Sequence, residues 1–319
     1  MIIYDGTKDS EAYKTLFGRV MEEICAEDPD VVYLDADIMN SIGTLAFHKR
    51  NPKQAIDVGI AEANMMGIAA GLSAGGKKPY VHTFGPFATR RSFDQSFLSI
   101  AYAGNSVRIF GSDPGVTAAF NGGTHMPFED LALMRAVPEA TVMEISDGAM
   151  FEAVLHAIKD REGLTYLRCG RKNYPTVYSK DHSFTIGKGE VLREGSDITV
   201  IAIGLMVGEA MKAAQMLEQE GISLRVVDMF TVKPLDTELV LRCAKETKAI
   251  LTSENHNVIG GLGDAVASVL LESGSCIPFK KHGVYDRFGS VGPQDYLQEH
   301  YGLTAEVITE NVKALLAKK

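Results

Sequence analysis

Three short segments of this sequence combine residue types that could do chemistry. In the first, Asp57-Val58-Gly59-Ile60-Ala61-Glu62, a glycine turn leads into a helix that is small and apolar almost all round, and so expected to be buried, with a carboxylate in its first turn. A carboxylate there can hold or pass a proton, although the helix amino terminus would also stabilise it by dipole alone. In the second, Val81-His82-Thr83-Phe84-Gly85-Pro86-Phe87, two phenylalanines stand three apart. They can cradle a flat ring, with aromatic contacts adding ~0.5–1.5 kcal/mol beyond burial, or simply fill the core. The third, residues 111–127, is the most unusual. Its Gly122-Gly123-Thr124-His125-Met126-Pro127 sets glycines, which let backbone approach a ligand, beside a histidine that can shuttle a proton near neutral pH. A loop this long without a period points to function.

These segments must be positioned by regular elements. Tyr13, Leu16, Phe17, Val20 and Ile24 recur at helical spacing over residues 8–26, with Asp9 and Ser10 as candidate caps. Short apolar runs then alternate with helical stretches. Strands are expected at 31–34, 55–58, 79–84, 107–111, 141–144 and 164–168, and helices at 62–75, 91–103 and 147–160. That alternation predicts a parallel sheet covered by helices on both faces. Ligands of such sheets bind beyond the carboxyl ends of the strands, which is where the three segments lie. Residues 171–197 are polar and aperiodic, and read as a connection ending in a short hairpin. A second alternating unit runs from 198 onward. The expected architecture is α/β, two doubly wound domains, one mostly parallel over 1–180 and a smaller one over 190–319.

A net charge of −9 with no basic run excludes nucleic acid and anionic membranes as the main partners. No apolar run approaches the ~20 residues that span a bilayer, and no secretory core opens the chain. Cys25, Cys169, Cys243 and Cys276 show no paired or zinc-like spacing. They read as free thiols of a cytoplasmic protein, with no metal site of their own.

In their order along the chain, the three segments resemble the pyrimidine-binding domain of transketolase. In that family a glutamate after Gly-Ile bonds the aminopyrimidine of thiamine diphosphate, two aromatics flank the ring, and a Gly-x-Thr-His-x-Pro loop faces the sugar. The resemblance implies Glu62 and His125 as catalytic residues and Phe84 and Phe87 as the ring's cradle. Asp37 and Ser41, in Ala36-Asp37-Ile38-Met39-Asn40-Ser41, look like the family's aspartate near the thiazolium and its serine at the substrate phosphate. Arg171 is similar to its phosphate-binding arginine. Glu254-Asn255-His256, followed by Gly260-Gly261-Leu262-Gly263, resembles the transketolase C-terminal domain. His82 and His256 are expected to be structural.

Two departures bear on the sugar. A histidine that usually opens the loop is replaced near Ser112, and an aspartate that touches a donor hydroxyl appears as Asn121. The family's Gly-Asp-Gly…Asn segment, which holds Mg²⁺ (or Ca²⁺) and the diphosphate, is not found here. The resemblance therefore implies half an enzyme, partnered by an N-terminal diphosphate-binding subunit that carries the metal. An α2β2 heterotetramer acting on sugar phosphates is the expected assembly. Three alternatives stay open. They are the beta subunit of a 2-oxoacid dehydrogenase, half of a deoxyxylulose-phosphate synthase, and a non-catalytic scaffold. The Gly-Thr-His-Met-Pro loop favours the sugar-processing reading.

Overall fold

The computed structural model describes residues 1–317. Its first strands are β1 (Val31–Asp35), β2 (Ala55–Asp57), β3 (Lys78–Phe84), β4 (Val107–Ser112), β5 (Thr141–Glu144) and β6 (Leu164–Cys169). They pair in parallel in the order β5-β6-β4-β3-β1-β2. β1, β4, β5 and β6 are buried at every residue, the burial that a parallel sheet covered on both faces requires. The later strands are β7 (Glu190–Arg193), β8 (Ile198–Ala202), β9 (Leu224–Asp228), β10 (Thr231–Lys233), β11 (Ile250–Asn257) and β12 (Phe279–Val284). All but β10 form a second sheet, β12-β11-β8-β9-β7, parallel except for β7. β10 instead crosses to the first sheet and pairs antiparallel with β5. The architecture is the expected α/β arrangement of two mostly parallel sheets with helices.

The two halves are joined by more than that strand. Arg168 on β6 is wholly buried and donates to Asp130 at 2.7 Å, to Glu144 at 2.8 Å and to the Asn255 carbonyl of β11 at 3.2 Å. Charges this deep persist only when paired and hydrogen-bonded. Removing one member would strand the others.

Several local expectations change. The first helix starts at Tyr13, with Ala12 at its N-cap and no side-chain cap bond. Asp9 is used elsewhere, accepting from Tyr13 Oη at 2.6 Å, Thr176 Oγ1 at 2.6 Å and Gly148 N at 2.8 Å. The helix expected over 91–103 is broken into Phe93–Gln95 and a π-helix over Ser96–Tyr102, and a separate helical turn, Gly85–Ala88, precedes it. Thr89 Oγ1 donates back to the Gly85 carbonyl, and Ser92 Oγ to those of Phe87 and Ala88, so hydroxyls compete with the regular ladder. The hairpin expected before residue 197 does not form, since β7 pairs with β9. Helix Glu62–Ala74 buries only Glu62, Met65, Met66, Ala69 and Ala70, leaving Asn64, Gly67 and Gly71 exposed. Its all-round apolar composition had implied full burial; the outward face is small residues that this chain alone does not cover.

Candidate active site

The carboxyl ends of β1, β2, β3 and β4 converge on one region, and buried polar groups fix the loops that leave them. Asp57 Oδ1 accepts from the backbone N–H of both Gly59, at 2.9 Å, and Asp37, at 3.0 Å. One carboxylate therefore sets the turn into Glu62 and the turn carrying Asp37. Gly59 sits at φ 72°, a conformation glycine adopts at no steric cost. Asp35 accepts from Ile38 N at 2.7 Å, from Tyr33 Oη at 2.6 Å and from His82 Nδ1 at 2.9 Å. The other nitrogen of His82 meets Ser112 Oγ at 3.0 Å. His82 is completely buried, so it braces β1, β3 and β4 from beneath, as expected of a structural histidine. His256 is likewise buried, and that burial pulls its imidazole down to about 4, so it is neutral at pH 7.

Six of the seven expected site residues form one continuous run of contacts. Glu62, 5% exposed, accepts from Arg91 Nη1 at 2.8 Å. The Arg91 guanidinium lies 3.8 Å over the Phe87 ring, a cation–π distance. Phe87 packs edge-on against Phe84 at 6.2 Å and against His125 at 5.0 Å. Arg171 stands 5.0 Å over Phe84 and reaches the Ser41 carbonyl through Nη1 at 3.5 Å. Asp37 stays outside the run. It is exposed at φ 63°, and its backbone is what the neighbouring carboxylate holds.

The long loop is less irregular than its sequence. Gly115–Asn121 is a 3₁₀ stretch broken at Ala119, where φ is 48°. Gly122, at φ 74°, then turns the chain toward His125, whose Nδ1 meets Thr124 Oγ1 at 2.8 Å. Burial first, then the Arg91 charge, lowers the His125 pKa below the ordinary imidazole value. The neutral ring at pH 7 can donate through one nitrogen and accept through the other.

Three residues join the site that the sequence did not single out. Arg91 bridges Glu62 and Phe87. Asp113 accepts from Arg171 Nε at 2.7 Å. Lys14 lines, with Ser41, Asp113, Asn121 and Arg171, an open cleft of about 370 Å³. The adjacent Arg90-Arg91 pair directly after Phe87-Ala88-Thr89 was a visible signal for the first. Nothing local marks Lys14, which the fold brings there from the first helix.

The residues fit a flat, nitrogen-bearing ring. Arg91 is a planar cation whose N–H meets Glu62 while its face meets Phe87, the same two contacts such a ring would make. Among the described residues Arg91 is the one hydrogen-bond partner of the Glu62 carboxylate, and no group of His, Cys, Asp and Glu could hold a metal ion. No described helix is long and apolar enough to cross a membrane.

Comparison with known proteins gives the family. Residues 9–177 match the family described as "Transketolase, pyrimidine binding domain", and residues 187–308 match "Transketolase, C-terminal domain". The chain is 47% identical over 298 residues to a protein from Clostridium sp. (strain MSTE9) named "6-deoxy-6-sulfo-D-fructose transketolase subunit SqwH", covering 93% of this chain and 92% of that one. It is 35% identical to a "Putative transketolase C-terminal section" from Methanocaldococcus jannaschii, over 98% of this chain and 99% of that protein. A solved structure titled "Split gene transketolase, inactive beta4 tetramer" superposes with a TM-score of 0.88 at 43% identity, covering 96% of this chain and 98% of that one. Fold and sequence therefore agree that the chain belongs to the transketolase family, with both its pyrimidine-binding and its C-terminal domain.

Proposed function

We propose that this chain is the C-terminal (beta) subunit of a thiamine diphosphate-dependent transketolase that moves a two-carbon ketol unit between sugar phosphates. Its partner in this reading is a separate diphosphate-binding subunit that also holds Mg²⁺ (or Ca²⁺). One observation carries the reading: the unbroken run from Glu62 through Arg91, Phe87, His125, Phe84 and Arg171 to Ser41. It sets a proton-handling carboxylate at one end and an anion-binding arginine at the other, with aromatic rings between.

When bound, thiamine diphosphate supplies an acyl-anion equivalent. The chain's own residues then have separable tasks. Glu62 holds a proton at the ring nitrogen it faces, in a site that excludes water. Phe84 and Phe87 keep the ring in one orientation, and Arg91 yields the space it fills here. His125 donates to or accepts from sugar hydroxyls, Ser41 and Arg171 anchor the charged tail, and Asp37 borders the cofactor from the neighbouring turn. The tail is phosphate in this reading; the Clostridium relative is named for a sulfonate-bearing sugar.

A partner chain is supported by what this one leaves uncovered. Ile60 is 75% exposed beside Glu62, and Phe120 is 72% exposed on the cleft loop. Apolar groups at a cleft mouth mark surfaces that another chain covers. The small outward face of Asn64, Gly67 and Gly71 suits close helix packing between two copies, giving an α2β2 heterotetramer. The solved relative described as an inactive β4 tetramer agrees with a beta chain that assembles but needs its partner. Four free cysteines, three of them buried, suit the cytoplasm.

Calorimetric titration of thiamine diphosphate and Mg²⁺ tests the shared site. Micromolar binding by the mixed subunits, and none by this chain alone, supports it; equal binding with and without the partner contradicts it.

A further inference from the structure

At the end of β4, Asp113 is held at φ 58°, a conformation that disfavours any residue with a Cβ. Its side chain is only 4% exposed. Arg171 donates to it through Nε at 2.7 Å, lies within 2.6 Å through Nη2, and adds its backbone N–H at 3.3 Å. The carboxylate is thus fixed against the arginine by three groups of one residue. Asp113 and Arg171 line the same cleft as Ser41 and Asn121. Lys14 and Lys172 also line it, but both are exposed, so water weakens their pull on a bound tail.

We propose that Asp113 sets the charge of the substrate's tail, so that the cleft prefers a sugar ending in one negative charge over a phosphate dianion. The inference rests on the proposed function in placing that tail at Ser41 and Arg171, and departs from it in the tail itself, a singly charged group in place of the phosphate dianion. An unpaired arginine would attract each added charge and favour the dianion. With Asp113 bound to it, the floor of the cleft is close to neutral, and the attraction to a second charge is nearly cancelled. The cost of stripping water from the tail does not cancel, because it grows with the square of the charge. The hydrogen bonds do not discriminate. Ser41 and Nη1 of Arg171 serve sulfonate and phosphate oxygens equally. Charge therefore decides, and a sulfonate is the clean probe because it stays singly charged across the working pH range.

The assembled complex, with partner chain, thiamine diphosphate and Mg²⁺, is titrated with a six-carbon ketose 6-phosphate and with its 6-deoxy-6-sulfonate counterpart. Binding is read by calorimetry, so that absence of ketol transfer leaves the charge test intact. At pH 8 the sulfonate should bind about tenfold more tightly or better. As pH falls through about 6, where phosphate gains a proton, phosphate binding should strengthen while sulfonate binding stays level. Asp113→Asn should shift the ratio toward phosphate by about tenfold or more. Tighter phosphate binding at pH 8, a flat phosphate profile, or an unchanged ratio in Asp113→Asn would overturn the proposal. The first two outcomes need only the unaltered chain. Failure of both sugars to bind would instead overturn the placement of a sugar tail in this cleft, and the inference with it.

Discussion

Replacing Glu62 with glutamine separates chemistry from folding by magnitude. The substitution keeps the shape of the side chain and its hydrogen bond to Arg91, but removes the charge. Arg91 is 47% exposed and Glu62 5%, so the ion pair is half in water and contributes at most about 1 kcal/mol to stability. The stability cost of Glu62→Gln is therefore about 1 kcal/mol or less. The catalytic cost is of another order. A positioned acid–base group contributes about 10²–10⁴-fold in rate, equivalent to roughly 3–5 kcal/mol. The assay is ketol transfer by the reconstituted complex, beside the thermal midpoint of the same preparation. Turnover should fall by at least a hundredfold while the midpoint moves by no more than a few degrees. A variant retaining a tenth or more of the activity would refute the role assigned to Glu62. A variant that loses activity only as it unfolds would refute the separation.

Other substitutions test how the site is held. Gly289→Ala would place a Cβ 2.7 Å from Gly123 Cα and 2.9 Å from Met126 Cβ, displacing the turn that presents His125. The sugar KM should rise about tenfold with cofactor affinity unchanged; equal KM values would show that close packing against Gly289 does not hold the turn. Arg168→Met leaves Asp130 and Glu144 buried without their cation, which should cost about 3–5 kcal/mol; a denaturant midpoint within experimental error of the parent's would contradict it. Asp228 is wholly buried, and that burial pushes its carboxyl up to about 8. The native chain therefore keeps a proton that the unfolded chain releases near 4, so this group's stabilisation is full below about 4 and is lost as pH rises toward 8. Asp228→Asn, which can still accept from Tyr178 Oη, should gain stability relative to the parent between pH 5.5 and 8.5. A difference between the two proteins that is constant with pH would refute that assignment.

How much of this could be read in the sequence depends on how local the determinant is. The strand ending at Phe84, the helix beginning at Glu62 and the buried runs of β1, β4 and β6 each carry their signal within a few residues, and the structure has them where their apolar pattern put them. The clustering of Glu62, Phe84, Phe87 and His125 was also legible, because all four follow the carboxyl ends of parallel strands or open the next helix. The three residues of β10 carry no period, and their partner in β5 lies some ninety residues earlier. Asp9 is a good cap by type, but three donors from Tyr13, Gly148 and Thr176 make better use of it. Arg91 and Asp113 matter through what faces them, Glu62 and Arg171, and those pairings exist only after the chain has folded. The outward face of helix Glu62–Ala74 was misread for a related reason, since an apolar helix can be covered by another chain.

The central claim is that this chain supplies one side of a shared transketolase site. The direct measurement combines it with a diphosphate-binding transketolase subunit, thiamine diphosphate and Mg²⁺, and follows two-carbon transfer from an anionic ketose to an aldose acceptor. Transfer that needs both chains and is abolished by Glu62→Gln is the predicted result. Release of carbon dioxide from a 2-oxoacid without ketol transfer, or no reaction in a complex that has bound the cofactor, would contradict it.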